Sequence, residues 1–351
     1  MRLGERNLKT VFLLGAGASR GALKHVLYNG KRIKPPLNGD FFNVADTYAR
    51  GAGLRSAAHR RITRLREIFK RDLPLKGLPT MEEAFSLLYV AKDFPDIYNR
   101  GKGRRRVAGV RKEIDDFLHL LFPVLSLLDK QDRPSNGYDR LAKVLRSGDT
   151  ILTLNYDTLL DSALHRRGWD PTTGYGITGT KSKVDWPTAQ LPDEQAPLRV
   201  DLIKLHGSMN WFVRGNTSNL KKVFSSKPVR ITKPRTNEIS AHIRQIAPPI
   251  YAKIFEHKHW QNLWTLAFKA LCEAEVIVVV GCSLVDTDFH LRALFSQVAR
   301  TRKKKSNKFK WAFFVDKTKP RRKWMAVLKG SYVRSDSYSS FEKMLRNGLK
   351  V

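Results

Sequence analysis

The sequence predicts an α/β fold: a Rossmann-like parallel sheet with helices on both faces, interrupted by a helical insertion. Three observations carry this. Val11–Leu14, Thr150–Leu154, Asp201–Leu205, Val276–Val280 and Trp311–Val315 are short apolar runs without strict alternation, as expected of strands covered on both sides. Helical spacing lies between them, as over Trp260–Glu273, where Leu263, Trp264, Ala267, Phe268 and Leu271 form one stripe. Several of the runs end abruptly in glycine or polar residues, and in open α/β sheets ligands sit beyond those strand ends.

Residues 44–146 read differently, because no strand-like run occurs there. Thr80 followed by Glu83 is a capping box that opens a helix through Val90. Lys112–Leu128 carries Ile114, Phe117, Leu118, Leu121 and Phe122 at helical spacing. Arg50–Arg71 holds eight basic residues and one acid, with Leu54, Ile62, Leu65 and Phe69 as a thin apolar stripe, and reads as a basic helix. Gly101–Arg106 reads as a surface loop. Residues 170–200 and 214–240, rich in Pro, Gly, Ser, Thr and charge, read as long loops with short hairpins. The expected organisation is a discontinuous sheet domain (1–43 and 147–330), a helical insertion (44–146) and a C-terminal helical tail (331–351).

The chain has 351 residues and is 42% hydrophobic, enough to bury a core. Lysine and arginine number 65 against 32 acids, a net charge of +33, which favours an anionic partner: nucleic acid, an acidic protein or a polyanionic surface. The charges cluster, with twelve basic residues and one acid over 300–323. Cys272 and Cys282 are too few for a disulfide framework or a four-cysteine zinc site and suit a reducing compartment. The apolar run before Gly15 is shorter than the about 7 residues a secretory signal needs, and no run nears the ~18 of a membrane span. A soluble, cytoplasmic protein is expected.

Four strand ends carry the candidate chemistry. Gly15-Ala16-Gly17-Ala18-Ser19 is a strand-to-helix turn whose glycines let a pyrophosphate approach backbone N–H groups. Arg20 stands where a dinucleotide fingerprint has its third glycine, and no acid ends a second strand, so the dehydrogenase pattern fails. Thr153-Leu154-Asn155-Tyr156-Asp157 delivers an amide able to hold a ribose hydroxyl or a water, and a carboxylate able to anchor a loop or cap a helix. Lys204-Leu205-His206-Gly207 ends a strand in a histidine, a candidate general base. Gly281-Cys282-Ser283-Leu284 is a second place for backbone to meet ribose or phosphate, with Asp286 and Asp288 read as caps of the next helix.

In this order the four segments resemble the sirtuin superfamily, and more closely its sirtuin-like branch of bacterial NAD-consuming defence proteins, over about residues 11–295. The resemblance implies that Gly15, Ala16, Gly17 and Ser19 line the pyrophosphate of NAD. It places Asn155 and Asp157 near the nicotinamide ribose, makes His206 the catalytic histidine and sets Gly281, Cys282 and Ser283 at the adenosine ribose. Pro36 and Asp40 correspond to its flexible cofactor loop. Sirtuin deacylases resemble one another in a four-cysteine zinc module just after the histidine. Neither cysteine here lies between 207 and 271, so no metal is expected and deacylation is disfavoured. The implied activity is an NAD glycohydrolase releasing nicotinamide and ADP-ribose as a regulated effector of antiphage defence. A homo-oligomer, a companion ATPase or other acidic subunit, or nucleic acid are the expected partners, and no membrane. The alternatives are a non-catalytic NAD- or ADP-ribose-binding subunit of a nucleic-acid-associated complex, and an NAD-dependent protein deacylase.

Overall fold

The computed structural model describes residues 8–72, 77–94, 104–130, 134, 136–177, 183–192, 196–214, 229–234, 242–246, 258–286, 288–304, 307–316 and 318–349. Along the chain these form β1 (Thr10–Leu14), α1 (Ala16–Ala22), β2 (Val26–Tyr28), β3 (Lys31–Ile33), α2 (Phe41–Gly51), α3 (Ala57–Asp72), α4 (Met81–Asp93), α5 (Arg104–Lys130) and α6 (Gly137–Val144). There follow β4 (Thr150–Thr153), α7 (Leu159–His165), α8 (Pro171–Gly174), β5 (Lys183–Asp185), β6 (Asp201–Lys204), β7 (Gly207–Arg214), β8 (Arg230–Thr232) and β9 (His242–Ile246). The last elements are α9 (Lys258–Glu273), β10 (Val276–Val280), α10 (Phe289–Lys304), β11 (Phe309–Val315), α11 (Thr318–Val327), β12 (Tyr332–Tyr338) and α12 (Phe341–Asn347). Two compact units divide the chain: Met1–Leu23, Asp132–Ala247 and Ile254–Val351 form one, Lys24–Gln131 and Pro248–Lys253 the other.

The larger unit is built on a six-stranded, all-parallel sheet in the order β12-β11-β10-β1-β4-β6. The five apolar runs supply five of its strands. Every residue of β1 and β10 is buried, which explains why neither alternates. Counted along the chain the strands lie third, second, first, fourth, fifth, sixth, so the order reverses between β1 and β10. Right-handed crossovers then send connecting helices to opposite faces on the two sides of that point. The helices accordingly gather into two groups: α1, α6, α7 and α12 pack together, as do α9, α10 and α11. The sixth strand corrects the expected C-terminal helical tail. Tyr332–Tyr338 pairs with β11, and only Phe341–Asn347 is helical. Its polar content (Arg334, Ser335, Asp336, Ser337) hid it, because an edge strand need not be apolar.

A second, four-stranded sheet in the order β5-β8-β7-β9 belongs to the same unit. Only two residues separate its strand β7 from β6, so Leu205 and His206 sit at the junction of the two sheets. The expected loops over 170–200 and 214–240 thus contain α8, β5 and β8, while 178–182, 193–195, 215–228 and 235–240 lie outside the described residues.

The smaller unit holds the β2–β3 hairpin and helices α2–α5 around Phe41, Phe42, Phe69, Phe85 and Phe117, whose rings contact one another. Thr80 and Glu83 form the capping box of α4 as read. Two expectations are corrected. The basic stretch 50–71 is not one helix: α2 ends at Gly51, α3 starts at Ala57, and Leu54 between them is 71% exposed. Arg104–Arg106 open α5 instead of sitting in a loop, and 101–103 lie outside the described residues.

Candidate functional site

The four strand ends come together at the carboxyl edge of the parallel sheet. The turn after β1 is tied to the turn after β10: Gly15 N–H donates to Val280 O (3.0 Å) and Gly17 N–H to Gly281 O (2.9 Å). Gly281 has φ of +57°, and a Cβ there would lie 2.2 Å from the Ala18 nitrogen, so only glycine lets the two turns touch. A Cβ on Gly15 would meet Gly281 O at 2.5 Å. The glycines therefore serve close approach of backbone to backbone. This corrects the reason given for them from sequence, since the N–H groups of Gly15, Gly17 and Ala18 are already hydrogen-bonded within the protein.

Asn155 and Asp157 follow β4 and reach the same turn. Asn155 Nδ2 donates to Gly15 O (3.0 Å) and Ser19 Oγ (2.9 Å). A carbonyl can only accept, which fixes the amide orientation. Its Oδ1 makes no hydrogen bond to a described residue. Ser19, 1% exposed, donates to Asp157 Oδ2 (2.8 Å) and pairs with the Tyr138 hydroxyl (2.9 Å). Asp157 Oδ1 accepts the Leu159 N–H (3.3 Å), so this carboxylate both anchors α1 and holds the first N–H of α7. Burial raises its pKa above the ordinary 3.8, the charge of Lys204 and the Ser19 hydrogen bond opposing. Burial, and then the Asp157 charge, hold Tyr138 well above the usual phenol range, so it stays a neutral donor.

From Asp157 a buried polar chain runs into the second sheet. Lys204 at the end of β6 is 1% exposed. Its Nζ donates to Asp157 O (2.6 Å) and to both Asp161 oxygens (3.2 and 3.0 Å). Asp161 also accepts the Tyr175 hydroxyl, which receives an N–H from Asn210 on β7 (3.1 Å). Asn210 goes on to Thr232 O on β8 (2.9 Å). A buried ammonium and carboxylate survive only when paired and hydrogen-bonded, and here each is. This chain holds the Asn155–Thr158 turn against the end of β6, two residues before His206.

His206 is 6% exposed, its ring beside that of Tyr156 (centroids 6.4 Å apart). Its Nε2 lies 3.4 Å from Asp288 Oδ2, an ion-pair distance, but is not aligned for a hydrogen bond. Asp288 Oδ1 accepts the Leu291 N–H (3.3 Å) in the first turn of α10, the capping role read from sequence. Cys282 is buried and its thiol is pushed up to about 12 by that burial, so it is inert. Its carbonyl accepts the Trp324 indole N–H (2.7 Å), which pins the turn, while Ser283 is exposed. Leu284 holds a φ of +46°, a strained conformation for leucine. Asp40 belongs to the smaller unit, where its carboxylate accepts the Leu37 N–H (2.8 Å).

The structure thus gathers Gly15, Ala16, Gly17, Ser19, Asn155, Asp157, His206, Gly281, Cys282 and Ser283 into one unit and one sheet edge. Sequence reasoning gave no role to Tyr138, Lys204, Asp161, Tyr175 and Asn210. A signal existed for two of them: Lys204 ends an apolar strand, and Asp161 interrupts Leu159-Leu160-Asp161-Ser162-Ala163-Leu164. A cavity of about 1020 Å³, lined by Lys9, Arg146, Asp149, Asp201, Lys269 and Glu273 among others, opens at the amino ends of β1, β4 and β6. It is away from these groups, and strand polarity argues for the carboxyl edge as the functional one.

A family model described as a SIR2-like domain matches residues 149–333, just over half of the chain, and takes in Asn155, His206, Gly281 and Asp288. Comparison with curated proteins gives no match. Among the described residues no helix is long and apolar enough to cross a membrane.

Proposed function

We propose a function from one premise: the chain belongs to the SIR2-like domain family, which includes NAD-dependent enzymes. The reading is NAD hydrolysis to nicotinamide and ADP-ribose. One observation supports it above the rest. At the carboxyl edge of a Rossmann-like sheet, an amide whose carbonyl oxygen makes no hydrogen bond to a described residue (Asn155) and a buried imidazole (His206) stand at neighbouring strand ends, held there by the buried polar chain. The His206 Nδ1 and the Asn155 Oδ1, neither of which makes a hydrogen bond to a described residue, suit a polar ligand such as the ribose of NAD.

The chemistry asks little of the protein. Nicotinamide is cationic while bonded to the ribose and neutral once released, so no general acid is required for departure. Water supplies the hydroxyl at the anomeric carbon and loses one proton. His206 takes that proton directly or through a ribose hydroxyl, and Asn155 Oδ1 orients the water or the ribose. Ser19, Tyr138, Asp157 and Lys204 position this pair, and the turn at Gly281–Ser283 shapes the adenosine side. A general base contributes about 10²–10⁴ in rate.

A nicotinamide-release assay on the pure chain tests this. Wild type should consume NAD, and His206→Ala should lose about 100-fold or more of kcat. An unchanged rate in His206→Ala refutes the assignment. NAD binding without nicotinamide release would instead mark a sensing subunit, and acetyl-lysine-dependent consumption a deacylase. An enzyme that empties a cell of NAD needs restraint. We therefore read the chain as a regulated effector, in antiphage defence, controlled by self-assembly, by a companion ATPase or other acidic subunit, or by nucleic acid.

A further inference from the structure

Asp288 lies after β10 and His206 after β6, yet β1 and β4 stand between those strands. Three strand spacings separate β10 from β6, about 14 Å. For Asp288 to come within 3.4 Å of His206, the segment after β10 must reach across the carboxyl ends of β1 and β4. Both side chains are buried there, His206 at 6% and Asp288 at 2% exposure. The reach includes Leu284 in its strained left-handed conformation.

The two oxygens of Asp288 do different work. Oδ1 takes the Leu291 N–H of α10, and Oδ2 lies against the imidazole. The ring nitrogen it faces, Nε2, has no hydrogen-bond partner, and Nδ1 makes no hydrogen bond to a described residue. A carboxylate cannot donate, so Nε2 must carry the proton when the ring is neutral, leaving the Nδ1 lone pair to accept one. Catalytic hydrogen bonds are often long in a ligand-free site and tighten once the substrate is held.

We infer that Asp288 is the positioning residue of His206: it selects the Nε2–H tautomer, frees Nδ1 as the base and stabilises the imidazolium formed when that base takes a proton from water. The inference deepens the hydrolase reading and rests on it for its kinetic consequence only. The helix cap alone was the role legible in Asp288, and the orphaned nitrogen adds the second.

Asp288→Asn separates the two roles. Asparagine caps a helix as well as aspartate. Its single oxygen is then claimed by the Leu291 N–H, so its Nδ2 faces the ring and donates. The imidazole must answer with a lone pair at Nε2 and shift to the Nδ1–H tautomer. Nitrogen-15 spectra of His206 should therefore show Nε2–H in the wild type and Nδ1–H in the variant, with the melting temperature within a few degrees. If wild type releases nicotinamide, kcat should fall about 100-fold or more with KM little changed, and Asp288→Asn should cost nothing further in a His206→Ala background. The same tautomer in both proteins overturns the inference, as does an Asp288→Asn enzyme of wild-type kcat. A wild type without nicotinamide release would defeat the hydrolase reading and leave the tautomer measurement to decide the role of Asp288. Should Asp288→Asn fail to fold, Asp288→Ser keeps a capping hydroxyl and takes away the carboxylate. Loss of the single Nε2–H tautomer is then expected, and its retention overturns the inference.

Discussion

At the scale of single residues the site is governed by burial. Asp157 is 7% exposed and its carboxyl is held above the ordinary 3.8 by loss of water, even with Lys204 and Ser19 in attendance. A carboxyl with a raised folded-state pKa behaves oppositely to a salt-bridged one. Below 3.8 it is protonated whether folded or not, and its contribution to stability is complete; as pH rises through the folded value the charged form is buried at a cost and that contribution is lost. Acidification from neutral pH through this window should therefore favour the fold at this one site. Urea denaturation of wild type and Asp157→Asn at about pH 7 and close to pH 3.8 checks it. The stability difference should move in favour of the wild type at the lower pH, and a difference that moves the other way removes the account. Lys204 and Asp161 are buried too, at 1% and 0% exposure. Each is the other's partner, and removal of either alone would strand a buried ion.

At the scale of elements, much was legible and the misses have physical reasons. Five strands of the parallel sheet announced themselves as mainly apolar runs without alternation, because a strand covered on both faces has no polar side to show. β12 did not, since Arg334, Ser335, Asp336 and Ser337 interrupt it and most of its side chains are only partly buried. The helix from Thr80 was legible from two residues because a capping box is local chemistry. The second sheet was not, as its strands β5 and β8 are three residues each and too short for periodicity. In the site, residues at strand ends were found by position, whereas Tyr138, Tyr175 and Asn210 come from elsewhere in the chain and meet the others only through the fold. Arg302 shows the limit most sharply. It reads as one charge in a basic cluster, yet it is 1% exposed, donates to Leu271 O (2.7 Å) and Ala274 O (2.6 Å) at the end of α9, and lies 3.7 Å over the Phe309 ring. Burial lowers its pKa to about 10, which leaves it charged at neutral pH. Arg302→Met should strand two buried carbonyls and cost about 3 kcal/mol in urea denaturation. Arg302→Lys should recover only part, because an ammonium lacks the planar fork. A fully stable Arg302→Met would show that α9 does not need this cap.

At the scale of the whole molecule the net charge of +33 asks for an account, and the ion pairs narrow it. Arg61 and Arg64 of α3 are paired with Asp116, Arg66 with Asp46 and Arg71 with Asp72, so much of that basic stretch already serves the smaller unit. In the 300–323 segment Arg302 is buried, Lys310 pairs with Glu275 and Lys323 with Asp286. Arg300, Lys303 and Lys304, at the end of α10, are exposed and make no ion pair with a described residue. Cations near a helix carboxyl end are favoured by its dipole, but that effect is small and screened by salt, so it does not explain three in one turn and a half. We propose this end of α10 as the part of the surface that meets a polyanion. The salt dependence of binding counts the contacts, since log K falls against log salt with a slope of about −0.9 per neutralised phosphate on duplex DNA. Replacement of Arg300, Lys303 and Lys304 by glutamine should then reduce the slope by about 2–3 and weaken binding uniformly across sequences. Replacement of Arg61, Arg64 and Arg66 should leave the slope nearly unchanged while destabilising the fold, because those charges face carboxylates. Absence of DNA or RNA binding even at low salt would remove nucleic acid as the partner and leave an acidic protein surface as the complement. The same glutamine variant, tested against a purified acidic subunit, would then decide whether this face docks it.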